Sequence, residues 1–320
     1  MLDEAKEALT LPDRRSKSYL GLSIARLMRK KVAVACMTVI VVMYGSGIFA
    51  PLVAPYSYTD QDLTQVKQRP TLTHPFGTDR LGRDVLTRVI YGLRTTVIVT
   101  ITAMLGGSLF LGITLGLMAG YFGKMIDSVI MRTGEVTSAF PDILLVLIIV
   151  ATVKPRIVEW ARGLEDTIGF DMVQLGIVDY AVISVALAVF SWFGMARLVR
   201  GQVLQAREFQ YVEAARAMGG STPRILFAHI LPNVIGPVII VLSAGLATFA
   251  GSEIFLSWLG IGIQPPTPSL GVMIFQNGSI SVLRTDPHLL LFPVGTLAVL
   301  LFTFNLLGDA VNDAFNPRTR

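Results

Sequence analysis

EAARAMGGSTPRILFAHILPN, residues 213–233, is a soluble-looking passage set between two oily ones. Tyr211 to Met218 are good helix formers, and alanines at 214, 215 and 217 give that helix a slim surface. Gly219-Gly220 permits a sharp turn, Ser221 or Thr222 is placed to cap a new helix, and Pro223 suits its first turn. Leu231-Pro232 reads as the stop. The expected unit is a short helix, a tight turn and a second helix ending at Pro232. It belongs to a segment, 197–233, far longer than the roughly two to eight residues that join neighbouring helices. The apolar runs on either side, 179–199 and 234–258, are each long enough to cross a bilayer.

The rest of the chain has the same character. Hydrophobic residues make up 52% of the 320 and charged residues only 15%, where a soluble domain carries about a quarter charged. Six runs qualify as spans, near 32–54, 95–120, 129–152, 179–199, 234–258 and 289–310. The first follows 31 residues holding eight Lys or Arg, too long and too mixed in sign for a secretory leader, and reads as a retained span. With the N-terminus in the cytoplasm, the inner segments together with Arg132 at the inner end of the third span hold 17 of the 27 Lys and Arg, while the outer loop 55–94 keeps six. The predicted organisation is a cytoplasmic tail and interfacial helix at 1–31, a first span at 32–54 and an extracytoplasmic loop at 55–94. A core with five spans follows at 95–310, carrying the loop 197–233, and a cytoplasmic tail closes the chain at 311–320. Leu20, Ile24, Leu27 and Met28 fall on one helical face opposite Arg26, Arg29 and Lys30, as in a helix lying on the inner leaflet. Ile157, Trp160, Ala161, Leu164 and Ile168 line one face of a helix in the outer loop after the third span.

Several function classes are excluded or disfavoured. The single cysteine, Cys36, lies inside an apolar run and reads as packing, so no internal disulfide forms. Metal-ligand spacing is absent, and the net charge of +5 reads as membrane topology rather than nucleic-acid binding. His74, His229 and His288 all fall outside the predicted spans, and there is no G-x-S-x-G elbow and no G-x-x-x-x-G-K-[ST] phosphate loop. The chain is therefore expected to hydrolyse nothing by itself. An ion-coupled carrier needs ionisable groups at membrane depth. Glu253 stands out as the ionisable side chain well inside a predicted span, with Glu135 and Asp309 nearer span ends. It either lines a polar cavity on the translocation path or hydrogen-bonds a neighbouring helix.

The residues of 213–233 carry more than a shape. Glu213-Ala214-Ala215, then Gly219, then Leu231-Pro232 match the spacing E-A-A-x3-G-x9-I-x-L-P, with His229 at the place of the Ile. This resembles the EAA motif of the permease subunits of ABC importers. HPFGTDRLGRDVLTRVIYGLR at 74–94, EIFLSWLGIGIQPPTPSLGVMI at 253–274 and NLLGDAVNDAFNPR at 305–318 resemble the C-type permeases of dipeptide and oligopeptide uptake systems, whose relatives also move nickel complexes or glutathione. The resemblance runs over roughly residues 19 to 320.

It implies an all-helical type I importer permease fold in a bacterial inner membrane, with both termini cytoplasmic. The implied partners are a homologous B-type permease, one or two ATPase subunits that carry the ATP and Mg, and an extracytoplasmic solute-binding protein. It also implies that the EAA helix couples to the ATPase through Glu213, Ala214, Ala215, Arg216, Gly219, Gly220 and Ser221, with Leu231 and Pro232 closing the motif. Ala214 and Ala215 would allow close approach, Glu213 would orient the contact and Arg216 would supply a basic rim. Asp79, Arg83 and Asp84 in one outer loop, and Gln264, Pro265, Pro266 and Pro268 in another, are implied to lie near the docked receptor. Local turns, ion pairs and a stiffened bend are the alternative roles for both groups. A standalone carrier or channel is the rival class, and it predicts transport without ATP.

Overall fold

The computed structural model describes residues 19–315 and is helical apart from its loops. Apart from two short turns of helix at Ala50–Val53 and Leu63–Gln65, the helices are α1 (Tyr19–Arg29), α2 (Lys31–Ile48), α3 (Val85–Phe122), α4 (Lys124–Ser138), α5 (Asp142–Ile168), α6 (Ile177–Ala206), α7 (Gln210–Ala217), α8 (Thr222–Trp258), α9 (Leu270–Asn277), α10 (Ile280–Thr285) and α11 (His288–Phe315). Of these, α2, α3, α6, α8 and α11 are each long and apolar enough to cross a membrane, and α4 with α5 forms a sixth candidate that is broken. The tail before residue 19 and the last five residues lie outside the described residues.

The α3–α6 contact is built from glycine. A side chain at Gly112 would meet Met195 Cβ at 2.7 Å, at Gly116 the Ala196 carbonyl at 2.7 Å, and at Gly120 Val203 Cβ at 2.6 Å, so the two backbones touch. Gly107 faces the same neighbour, against Ala188, yet stands five residues before Gly112 instead of four. The helix winds in wider, π-helical turns from Leu105 to Gly112. That winding absorbs the extra residue and keeps all four glycines on one face.

The predicted boundaries move in four places. The second span begins ten residues earlier than 95, because the Asp84 carboxylate caps it by accepting from Thr87 N at 2.7 Å, and Arg88 is neutralised beside Asp79 Oδ2 at 3.2 Å. The third span, 129–152, is no straight helix: α4 and α5 meet at 84° across Ala139-Phe140-Pro141, where Pro141 disfavours helical backbone in the residue before it. The amphipathic segment 157–168 is the continuation of α5, with Ala161 buried but Trp160 and Ile168 outward. The last helix runs on to Phe315, so residues 311–315 belong to α11 rather than to a tail.

Leu231-Pro232 does not end a helix. Residues Ile225–Ile230 wind in π-helical turns, and Pro232 falls in the first turn of regular helix that follows. The wide turns relieve the clash of the proline ring with the preceding carbonyl, and Asn233 Nδ2 donates to the His229 carbonyl at 2.6 Å. One continuous helix therefore joins the turn at Gly219-Gly220 to Trp258.

At the bundle's edge α1 packs Leu20 and Leu27 on Val311, Ala314 and Phe315, while Ile24 and Met28 point outward. The predicted apolar face is thus divided between the chain and its surroundings. Lys30 Nζ, just past α1, meets Asp313 Oδ2 at 2.9 Å.

Candidate functional site

Three places carry the candidate residues, and the hairpin at 210–224 is built most plainly. Helix α7 ends in a Schellman turn: Gly219 N donates to the Arg216 carbonyl and Gly220 N to the Ala215 carbonyl, both at 3.0 Å. Gly219 has φ +77°, a conformation that side chains oppose. Ser221 stands in extended backbone at the start of α8, and Pro223 sits in the first turn as expected. The Ser221 hydroxyl makes no capping bond, contrary to the capping role expected of Ser221 or Thr222.

Val212 and Ala215 face inward, against a core that includes Val199, Val203, Ile225, Leu226 and Ile230. The predicted contact surface is corrected accordingly. Ala215 is 4% exposed and anchors the hairpin to its own chain, and the Arg216 guanidinium lies 5.6 Å from the Tyr121 ring. Glu213, Ala214, Ala217 and Met218 form the outward face, with Met218 81% exposed.

The second place is the loop end opposite this hairpin. Asp79 accepts from Leu81 N (2.8 Å), Arg83 N (3.0 Å) and Arg83 Nε (2.8 Å), and Asp84 accepts from His74 Nδ1 (2.9 Å) as well as capping α3. These carboxylates are buried and spent on the turn, so Asp79, Arg83 and Asp84 shape the loop and offer little to a docking protein. In the other loop Pro268 is buried, and its carbonyl accepts from Thr95 Oγ1 at 2.7 Å. Gln264, Pro265 and Pro266 are exposed. That loop is tied down by Asp179, which accepts from Gln264 N at 2.8 Å and pairs with Lys154 at 2.9 Å.

Glu253 is fully buried and is not among the residues that line the cavity of α3, α4, α5, α6 and α8 described below. Its carboxylate accepts from Thr96 Oγ1 (2.9 Å), Ser257 Oγ (2.9 Å) and Ser269 Oγ (3.1 Å). Three hydroxyl donors satisfy it in place, so the expected path residue is instead a knot between α3, α8 and the start of α9.

The third place went unnoticed in the sequence. An open cavity of about 540 Å³ lies among α3, α4, α5, α6 and α8. Its polar lining is Ser108 on α3, Ser138 and Asp142 beside the α4–α5 bend, Ser191 and Arg197 on α6, and Thr248 and Ser252 on α8. Phe190 and Phe249 give it an apolar wall. Arg197 also lines an adjoining cavity of about 460 Å³ with Gln202 and Gln205, so a polar trough follows α6 toward the hairpin. Asp142 falls inside the predicted third span, and its one signal was the Phe140-Pro141-Asp142 step interrupting an apolar run. Arg197 looked like a charge at a span end.

A bundle of long apolar helices, a capped hairpin at one end and a polar cavity opening among the helices define a membrane translocation subunit. The chain belongs to the family described as binding-protein-dependent transport system inner membrane component, whose sequence profile matches residues 112–320. Residues 18–70 match the profile described as the N-terminal TM domain of oligopeptide transport permease C. The dipeptide transport system permease protein of Bacillus subtilis (strain 168) is 36% identical over 96% of this chain and 88% of its own length. The oligopeptide transport system permease protein of Escherichia coli (strain K12) is 36% identical over 92% of this chain and 90% of its own. The glutathione transport system permease protein of Pectobacterium atrosepticum is 34% identical over the same shares.

Proposed function

We propose that this chain is one of two homologous permeases forming the pathway of an ATP-driven peptide importer, with both termini in the cytoplasm. Solute is delivered by a binding protein at the end of the bundle carrying Gln264, Pro265 and Pro266. Energy comes from ATPase subunits that hold ATP and Mg and grip the α7 hairpin from the cytoplasm. The outward face of Glu213, Ala214, Ala217 and Met218 is the side offered to them.

The observation that carries this reading is the continuity of α8. It starts at the hairpin turn and lines the open cavity at Thr248 and Ser252. About 26 residues at about 1.5 Å each make a rigid arm near 40 Å long between hairpin and cavity. A displacement of α7 must then move a wall of the cavity. Ala215 and Val212 supply the joint, because they pack the hairpin into the same core as the base of that arm.

The cavity is open in this chain, and the second permease is the subunit proposed to close it. Peptide is the favoured cargo because the dipeptide and oligopeptide permeases are similar over almost the whole chain; glutathione or a nickel complex is the alternative. Reconstitution in liposomes with and without the second permease, the ATPases and the receptor tests the proposal. Peptide uptake that requires all of them and ATP is expected. Uptake by this chain alone would sink it in favour of a standalone carrier.

A further inference from the structure

We propose that the cavity among α3, α4, α5, α6 and α8 receives a short zwitterionic peptide end to end, with Asp142 facing its ammonium group and Arg197 its carboxylate. The assignment rests on the peptide-import reading above and adds the residues that recognise the cargo inside the membrane.

Both side chains line the cavity, and neither has a hydrogen-bond or ion-pair partner among the described residues. Acids of the neighbouring helices α4, α6 and α8 are engaged: Asp127 accepts from Arg200 Nη2 at 2.6 Å, Asp179 pairs with Lys154 at 2.9 Å, and Glu253 holds three hydroxyls. Ionisable groups within membrane-spanning helices face a partner or a water-filled space. An acid and a base left free on the walls of one cavity, and not paired with each other, are complementary to a ligand with both charges. Such a cavity is neutral as a whole and favours a neutral dipolar cargo over a net anion or cation.

Arg197 is held in place for this task. Its guanidinium carbon lies 5.7 Å from the centre of the Phe193 ring. That ring in turn rests on Gly134 of α4, where any side chain would come within 2.6 Å of Phe193 Cγ. The guanidinium donates no hydrogen bond among the described residues, which leaves its donors for a two-point contact with a carboxylate. Asp142 is placed by the bend, as the first residue of α5 after Pro141.

The hydroxyls of Ser108, Ser138, Ser191, Thr248 and Ser252 line the same cavity and are short and able to donate or accept. They suit peptide groups shared by every sequence, while Phe190 and Phe249 offer apolar surface to varied side chains. The volume of about 540 Å³ lies within the range of roughly 300–1,000 Å³ for small-ligand sites.

The test uses the full complex in liposomes with its receptor, and radiolabelled dialanine with free or amidated C-terminus as probes. Each flux is compared between permease variants with the same receptor and the same peptide, so receptor preference cancels. Asp142→Asn and Arg197→Gln should each lower ATP-driven uptake of free dialanine at least tenfold, with all subunits still co-purifying and Arg197→Lys retaining most of the flux. Against the amidated peptide, Arg197→Gln should match the wild type. Wild-type flux in both neutral variants overturns the assignment, as does equal loss with free and amidated peptide. Loss of co-purification in Arg197→Gln overturns it too, by giving Arg197 to a subunit interface. A wild-type complex that carries neither dialanine nor longer oligopeptides refutes the peptide reading itself.

Discussion

The Thr96 hydroxyl on α3 donates to Glu253 Oε2 on α8 at 2.9 Å, joining two helices across 157 residues of sequence. Ser257 and Ser269 complete the set on Oε1. Glu253→Ala removes the shared acceptor of three buried hydroxyls, of which Thr96 keeps the Gly92 carbonyl at 3.2 Å, and Glu253→Gln replaces one acceptor by a donor, each expected to cost about 1–3 kcal/mol of stability. Heating in detergent should show earlier loss of folded protein, with uptake per assembled complex near normal. Full stability combined with abolished uptake would instead return Glu253 to the path.

The glycine face of α3 sets how closely it approaches α6. Gly116→Val places Cβ 2.7 Å from the Ala196 carbonyl and from Val199 Cβ, and backbone cannot yield as a flexible side chain does. Overpacking of about 1–3 kcal/mol or more is expected, read as a lower yield and a lower thermal midpoint. Gly163→Ala is the control. That glycine lies in α5 with nothing within 4 Å, so alanine should stabilise by roughly 0.5–1 kcal/mol. Equal effects at both sites would contradict the contact.

Gly219 closes α7 in a left-handed conformation, yet a side chain there meets nothing within 4 Å in this chain. Gly219→Val should therefore cost about 1–2 kcal/mol through backbone strain alone. The variant should insert and join the second permease while losing ATPase association or ATP-driven uptake. Gly219→Asn, a residue that visits this conformation, should keep more of both. Co-purification and ATP hydrolysis in the presence of solute separate the two steps, and normal coupling in the valine variant would withdraw the hairpin's role.

Lys67 Nζ meets Asp286 Oδ2 at 2.9 Å and ties the 55–84 loop to the end of α10. The hydrogen bond from Lys67 holds the Asp286 carboxyl below its usual range. A depressed folded-state pKa stabilises the loop above the unfolded value, and that contribution disappears as pH falls through the folded value. The hydrogen-exchange protection factors of residues 63–79, corrected for intrinsic rates, should fall on acidification below about pH 4. Asp286→Asn should remove this component. An unchanged acid response in the variant would assign it elsewhere.

What could be read along the chain was local or periodic. Apolar runs announced the membrane class, because burial in lipid acts on composition over about 20 residues. Gly219-Gly220 followed by Ser221-Thr222-Pro223 announced the hairpin, because turn geometry depends on adjacent residues. The spacing from Glu213 to Pro232 announced the family. Even here the proline misled: whether Pro232 stops a helix depends on how the preceding turns are wound, and the π-helical turns at Ile225–Ile230 let the helix continue. The surroundings of Glu253, Ala215, Asp142 and Arg197 were decided by tertiary structure alone. A carboxylate at membrane depth can face a cavity or a ring of hydroxyls, and the alanine pair of the motif can face a partner or its own core. Each choice depends on residues brought close by packing. The donors on Glu253 come from positions 96, 257 and 269, and the cavity walls from five helices. No periodicity within one segment encodes which distant segments its faces will meet.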